Sequence, residues 1–323
     1  MKIYSKQNVL DTINAMISGG RLAHSFLLFG EKGTGKKTLA EYIAMLMLCE
    51  NHNACGECRH CKRIAANTHP DVIRPERSGK TLIYKRDTVR QICSDAFIMP
   101  NDCDKKIYIF ADCENMEEST QNLMLKLIEE PPDYAYFIFT ATAKSAFLPT
   151  ILSRVISIGV SECSEQECRD ALKDMGKYTD DNIDEAVSCF PGNIGNCIDY
   201  LEGRDIVEYT ESARKIVNGI ISGNEYDLLK ALTDIGDNRE KLKQILLMTD
   251  KIIRDGCALR LNRDGGDIRR TGCYEYGAEQ LSQRMSFRRA DALHEALTET
   301  IGFCSSNVNT AAATAALCGK LVK

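Results

Sequence analysis

Residues 25–48 read SFLLFGEKGTGKKTLAEYIAMLML. An apolar run of five, Ser25 to Phe29, gives way to a glycine-rich segment, Gly30 to Lys37, and then to a stretch rich in strong helix formers. Strand, loop and helix in that order are the setting in which G-x-x-x-x-G-K has chemical meaning. Gly30, Gly33 and Gly35 let the backbone turn its N–H groups inward. With the helix N-terminus they can hold phosphates while Lys36 reaches the outer ones. The plainer alternative is a glycine turn between a strand and a helix.

The next position departs from the motif. A Ser or Thr hydroxyl there would bind Mg²⁺, and this chain has Lys37, whose ammonium has no lone pair to offer a cation. Thr38 carries a hydroxyl, but one residue further along a helix points about 100° away. The loop can still bind nucleotide; it is poorly built for Mg²⁺-assisted hydrolysis of ATP.

Outward from this stretch, further apolar runs alternate with helical patterns: DVIR (71–74), KIYIF (106–110), YAYFIFT (134–140) and VISIGV (155–160). The alternation predicts an α/β domain with a parallel sheet and helices on both faces. Residues 161–203 read as a small helical unit, with Ser164 as an N-cap and PGNIG (191–195) as a turn. Beyond it the chain has no proline and reads as all-helical; Leu242, Ile245, Leu246, Ile252 and Ile253 share one face. The expected domains are therefore 1–160, 161–205 and 206–323, in agreement with a length of 323 residues.

A second motif, CENHNACGECRHC, places Cys49, Cys55, Cys58 and Cys61 within 13 residues. At a cysteine frequency of 15 in 323, C-x-x-C-x-x-C arises by chance about 0.03 times in such a chain. Four thiolates suit a closed, tetrahedral and therefore structural Zn²⁺ site. His52 and His60 are substitute ligands in principle, and four thiolates are simpler. Most of the other cysteines lie in apolar periodic stretches, where a buried reduced thiol is expected.

Hydrophobic residues at 44% and charged residues at 27% are those of a globular chain. No apolar run reaches the ~20 residues of a membrane span, and the first residues have no signal-peptide pattern, so no membrane partner and a cytoplasmic location are expected. The net charge of −5 is uneven: residues 1–203 carry 23 basic and 29 acidic side chains. Contact with nucleic acid should then be local or shared with other subunits. Residues 251–290, with nine basic and five acidic side chains, read by default as a solvated helical face.

HSFLLFGEKGTGKK (24–37) followed by CGECRHC (55–61) resembles the AAA+ subunits of the bacterial clamp loader. HPDV (69–72), NLMLKLIEEPPDYAYFIFTAT (122–142) and LPTILSR (148–154) are similar to further family motifs in the family's order. NVNTAAATAAL (307–317) is weakly similar to the last helix of the family's collar. The resemblance implies an AAA+ P-loop domain with an inserted zinc module, a helical lid and an all-α collar that holds a hetero-oligomer. It also implies gamma/tau and delta subunits as partners, with the sliding clamp and primed DNA engaged through the complex of DNA polymerase III.

The family includes ATP-hydrolysing gamma/tau members and a non-hydrolysing delta-prime type. Where hydrolysing members end a strand in Asp-Glu (the Walker B motif), this chain has Ala111 and Asp112, and Ala111 cannot organise a metal. The lid turn that carries an arginine in those members is Gly192-Asn193-Ile194-Gly195 here. Lys37, Ala111 and Gly195 together point to the delta-prime type. Ser153-Arg154 matches the motif by which one subunit projects an arginine into its neighbour's ATP site, although Val155 replaces the motif's cysteine. Thr142 falls at the family's sensor position. The other readings are an active gamma/tau-type ATPase and, less in keeping with the zinc module, a P-loop kinase.

Overall fold

The computed structural model describes residues 3–4, 6–19, 22–79, 82–262, 270–304 and 308–322. They form two compact units, Met1–Cys163 and Ser164–Lys323.

The first unit is built on five parallel strands: β1 (Ser25–Phe29), β2 (Val72–Ile73), β3 (Lys106–Phe110), β4 (Ala135–Ala141) and β5 (Ile156–Gly159). Their order across the sheet is β2-β3-β4-β1-β5, and every pairing is parallel. Parallel strands need crossovers, and the helices that supply them cover both faces, which is why the strands read as unbroken apolar runs. Successive side chains point to opposite faces, and the two cores separate accordingly. Phe26, Leu28, Ile107, Ile109 and Ile138 belong to one core. Leu27, Tyr108, Phe110, Phe137 and Phe139 belong to the other. Each fully buried side chain of this size contributes about 1.5–3 kcal/mol.

Helix α1 (Gln7–Ser18) and helix α2 (Lys36–Leu48) pack in the first core, and nine residues of α2 are buried. A helix apolar nearly all round belongs in an interior. Helix α3 (Arg59–Ala65) adds Cys61 and Ile64 to that core. Helices α4 (Arg86–Asp95), α5 (Glu118–Glu129) and α6 (Pro149–Leu152) cover the opposite face. The chain thus leaves β1 toward one face and β4 toward the other, so a crevice opens at their carboxyl ends, the usual ligand position in open α/β sheets.

The second unit is entirely helical among the described residues. Helices α7 (Glu165–Asp174), α8 (Asp180–Cys189) and α9 (Ile194–Leu201) come first. Ser164 caps α7 in a full capping box with Glu167. Six further helices follow among the described residues: α10 (Ile206–Ser222), α11 (Glu225–Thr233), α12 (Arg239–Leu261), α13 (Glu275–Arg284), α14 (Phe287–Cys304) and α15 (Thr310–Val322). α12 is the hub, packing on α10, α13 and α14 through a stripe in which Leu242, Ile245, Leu246, Ile252 and Ile253 are all buried. No helix among the described residues is long and apolar enough to cross a membrane. Within the basic stretch 251–290, residues 263–269 lie outside the described residues, as does Asn307 of the collar-like segment.

Candidate functional site

The loop after β1 starts α2 from Gly35, which has a left-handed backbone and supplies no side-chain cap. Gly33 and Gly35 have φ of 86° and 82°, conformations that favour glycine. Gly30 is required for a different reason: a Cβ there would lie 2.2 Å from the carbonyl oxygen of Val160, just past β5. Lys36 is only 6% exposed, and its Nζ donates to the carbonyls of Gly30 (2.7 Å) and Glu31 (2.6 Å). Burial lowers the Lys36 pKa, opposed in part by the carboxylates of Glu114 and Asp112.

Lys37 and Asp112 meet. Lys37 Nζ lies 2.5 Å from Asp112 Oδ2, and Arg77 Nη2 reaches the same oxygen at 2.9 Å. Asp112 itself has φ 53° and ψ 63°, left-handed for a residue with a side chain. Two backbone bonds brace this turn: Asp112 N–H donates to Thr140 Oγ1 at 2.9 Å, and Tyr84 Oη donates to the Ala111 carbonyl at 2.7 Å. A residue where a hydrolysing site would place a hydroxyl for Mg²⁺ here supplies a cation of its own. Thr38 is exposed on α2 and makes none of these contacts.

Thr142 lies just beyond β4 and is exposed; the threonine that touches Asp112 is Thr140, two residues earlier and buried. Sequence spacing singled out neither Thr140 nor Arg77. Gly192 and Asn193 lie in the α8–α9 turn of the second unit and Ile194 and Gly195 open α9, which the Asn193 side chain caps through Asn196 N–H.

Arg154 follows α6 and is 40% exposed by side chain. Its Nε lies 2.9 Å from Glu129 Oε1, and its Nη1 donates to the Thr150 carbonyl and to Ser153 Oγ. The guanidinium is therefore oriented by three partners while staying accessible to solvent.

The cysteine cluster sits at the end of α2. Cys49 terminates that helix with an extended backbone, and left-handed residues His52, Ala54 and Gly56 fold the loop back. Cys58 caps α3 by accepting from Cys61 N–H. The four sulfurs lie within 4.8 Å of one another, with Cys49–Cys55 at 3.6 Å and Cys49–Cys58 at 4.0 Å. A tetrahedron with Zn–S of about 2.3 Å has edges of about 3.8 Å, so the spacing fits such an ion. Burial pushes the Cys49 thiol up, yet the N–H groups of Cys55, Asn53 and Asn51 outweigh it and bring it down to about 6. Burial dominates at Cys61 and raises it. Four neighbouring thiolates repel one another unless a cation sits among them, so the donor set fits a metal ion.

His60, His69 and Cys103 form a second cluster, which the sequence did not reveal. His69 Nδ1 accepts from Asp71 N–H at 3.1 Å, which leaves the proton on Nε2 to donate to His60 Nδ1 at 2.9 Å. A protonated Nε2 is no ligand, so this is a hydrogen-bonded pair.

Comparison with known proteins agrees with the motifs. Residues 5–164 match the family described as DNA polymerase III, delta subunit. This part of the chain is similar to subunits of DNA polymerase III. The gamma/tau subunit of Mycoplasma pneumoniae is 29% identical over 207 residues, covering 62% of this chain and 30% of its own length. The delta' subunit of Pseudomonas aeruginosa is 35% identical over 157 residues, covering 46% of this chain and 45% of its own. The matched regions thus span less than half of either relative. A gamma-subunit-related protein of Thermotoga maritima has a solved structure that aligns over 96% of this chain and 97% of its own, at 15% identity and a TM-score of 0.48.

Proposed function

We propose that this chain is a delta-prime-type subunit of the DNA polymerase III clamp loader, one that does not hydrolyse ATP. The observation that carries this reading is the ion pair between Lys37 and Asp112, with Arg77 on the same oxygen. Metal-assisted phosphoryl transfer needs a hydroxyl and a carboxylate free to hold Mg²⁺. Here the hydroxyl is replaced by an ammonium, and the carboxylate is committed to two cations. Residues 161–205 serve as the lid and 206–323 as the collar that joins gamma/tau and delta subunits. The sliding clamp and primed DNA are engaged through that assembly, in the cytoplasm during replication. Cys49, Cys55, Cys58 and Cys61 hold one structural Zn²⁺.

Within this reading Arg154, with Ser153, acts in trans on a neighbour's ATP. An arginine beside a γ-phosphate neutralises charge that develops during transfer and contributes ~10³–10⁵ in rate in other systems. The test is a reconstituted complex carrying Arg154→Ala. Assembly should persist, because an exposed arginine usually contributes within ~0.5 kcal/mol to stability. Clamp loading on primed DNA should fall, and the isolated chain should show no Mg²⁺-dependent ATP turnover. Loading at the parent rate would remove the trans role. The similarity to gamma/tau relatives favours a second reading, an active ATPase; turnover by the isolated chain that is lost in Lys36→Ala would establish it.

A further inference from the structure

In the second unit, the junction where α12 and α13 end and α14 begins collects three guanidinium groups. Arg260 is in the last turn of α12, Arg284 is the last residue of α13, and Arg288 is in the first turn of α14. All three are exposed. None of them has a carboxylate partner among the described residues. Arg288 also stands where the helix dipole disfavours a cation, and no acidic side chain in the first turn of α14 offsets it. The only exposed carboxylate on this stretch of α14 is Asp291, one turn further along.

The second observation is an aromatic ring held among these charges. Arg260 Nη1 donates to the carbonyls of Ser282 (3.1 Å) and Met285 (2.8 Å), which orient the group without neutralising it. Its guanidinium carbon then lies over the Phe287 ring, 5.6 Å from the centre. Phe287 is nevertheless 46% exposed, and Leu261 beside Arg260 is 67% exposed. A single apolar side chain in water needs no explanation. Here an oriented guanidinium, an open ring and two unpaired arginines coincide, and they match the two parts of a nucleotide. The arginines fit the phosphates, while the ring and the guanidinium plane offer surfaces on which an unpaired base can stack. An acidic polypeptide would answer the charge but has no base to stack, and a duplex keeps its bases inside.

We propose that the α12–α13–α14 junction binds single-stranded nucleic acid, with Phe287 and Arg260 as the stacking platform and Arg284 and Arg288 on the phosphates. A local site of this kind is compatible with the net charge of −5 of the whole chain. The inference concerns the second unit alone and holds whichever way the ATP site is read.

The experiment is fluorescence anisotropy of a labelled single strand of about ten nucleotides titrated with the full chain over a range of salt concentrations. Binding in the micromolar range at about 50 mM salt, weakening as salt rises, is the expected result. Arg284→Gln and Arg288→Gln, both on exposed positions, should each weaken binding several-fold and reduce the salt slope by about 0.7. Phe287→Leu keeps an apolar side chain but removes the ring; it should weaken binding about tenfold and leave the salt slope unchanged. Asp291→Asn should tighten binding. No binding at about 100 µM chain, or binding that these arginine and phenylalanine variants leave unaltered, overturns the proposal. A duplex that binds as well as the single strand, or polyglutamate that displaces it as effectively as unlabelled strand, overturns it too. Such a failure leaves the Arg154 and ATP-turnover experiments untouched.

Discussion

Asp71→Asn removes a negative charge that four donors surround. Asp71 lies just before β2 and is fully buried. Its Oδ1 accepts from Asn101 N (2.6 Å) and Asn101 Nδ2 (3.2 Å), and its Oδ2 from Asp102 N (2.7 Å) and Cys103 N (3.0 Å). The carboxylate thereby ties the segment before β3 to the start of β2, the sheet's edge strand. Asparagine keeps the shape but presents one oxygen and one NH₂ group. Two of the N–H donors lose their acceptor and meet another donor instead. At ~1–3 kcal/mol for each buried group left unsatisfied, the expected loss is about 3 kcal/mol. For a unit of this size that lowers the melting temperature by about 6–12 °C. Burial alone would raise the pKa of Asp71, but the N–H donors of Asn101, Asp102 and Cys103 outweigh it and hold it below the usual value of 3.8. A depressed folded-state pKa stabilises above the unfolded value, and that stabilisation is lost as pH falls through the folded one. The gap between parent and Asp71→Asn should thus be constant from pH 7 to about 5 and close below about pH 4. Urea unfolding followed by circular dichroism across that range measures both. A gap under ~0.5 kcal/mol at pH 7, or one unchanged at pH 3, would refute the account.

Elemental analysis should find one Zn²⁺ per chain rather than two, because the His60–His69 pair is closed by its own hydrogen bond. Cys58→Ser should lose the metal and destabilise the first unit, and metal-free protein as stable as the parent would contradict this. Gly30→Ala drives a Cβ to within 2.2 Å of the Val160 carbonyl, a backbone atom that cannot step aside cheaply. The expected cost is about 1–3 kcal/mol, read as a shift in the urea midpoint, and a neutral substitution would show that the loop can move away from β5.

The sheet was legible because each buried strand is a contiguous apolar run. KIYIF is β3 and SFLLF is β1, residue for residue. DVIR shortened to Val72–Ile73, since Asp71 and Arg74 at its ends serve other contacts. YAYFIFT shifted by one residue to Ala135–Ala141, and VISIGV was trimmed to Ile156–Gly159. The cysteine cluster could also be read, because its four members are close in sequence and spacing alone brings them together. The charge network around Asp112 could not. Arg77 lies in a connection without periodicity, Lys37 and Asp112 meet only through the parallel order of β1 and β3, and Thr140 reads as an ordinary strand residue. Nothing in one sequence marks such partners, since they are joined by the register of the sheet.

Under the proposed non-hydrolysing reading, retention of the glycine loop needs a physical reason, and the structure supplies one. The Lys36 ammonium is buried, and burial of a charge is tolerable only with acceptors close by. The carbonyls of Gly30 and Glu31 are those acceptors, and they converge on Nζ only because the glycines turn the backbone around it. Gly30 in turn lies against the carbonyl of Val160, so the loop is packed on the end of β5 as well. The G-x-x-x-x-G-K outline is thus coupled to the folding of the first unit through contacts that involve no nucleotide. Its presence alone is weak evidence for ATP hydrolysis. What discriminates is the charge at two positions outside that outline, Lys37 and Asp112, because their ion pair places a fixed cation where hydrolysis would require an exchangeable metal.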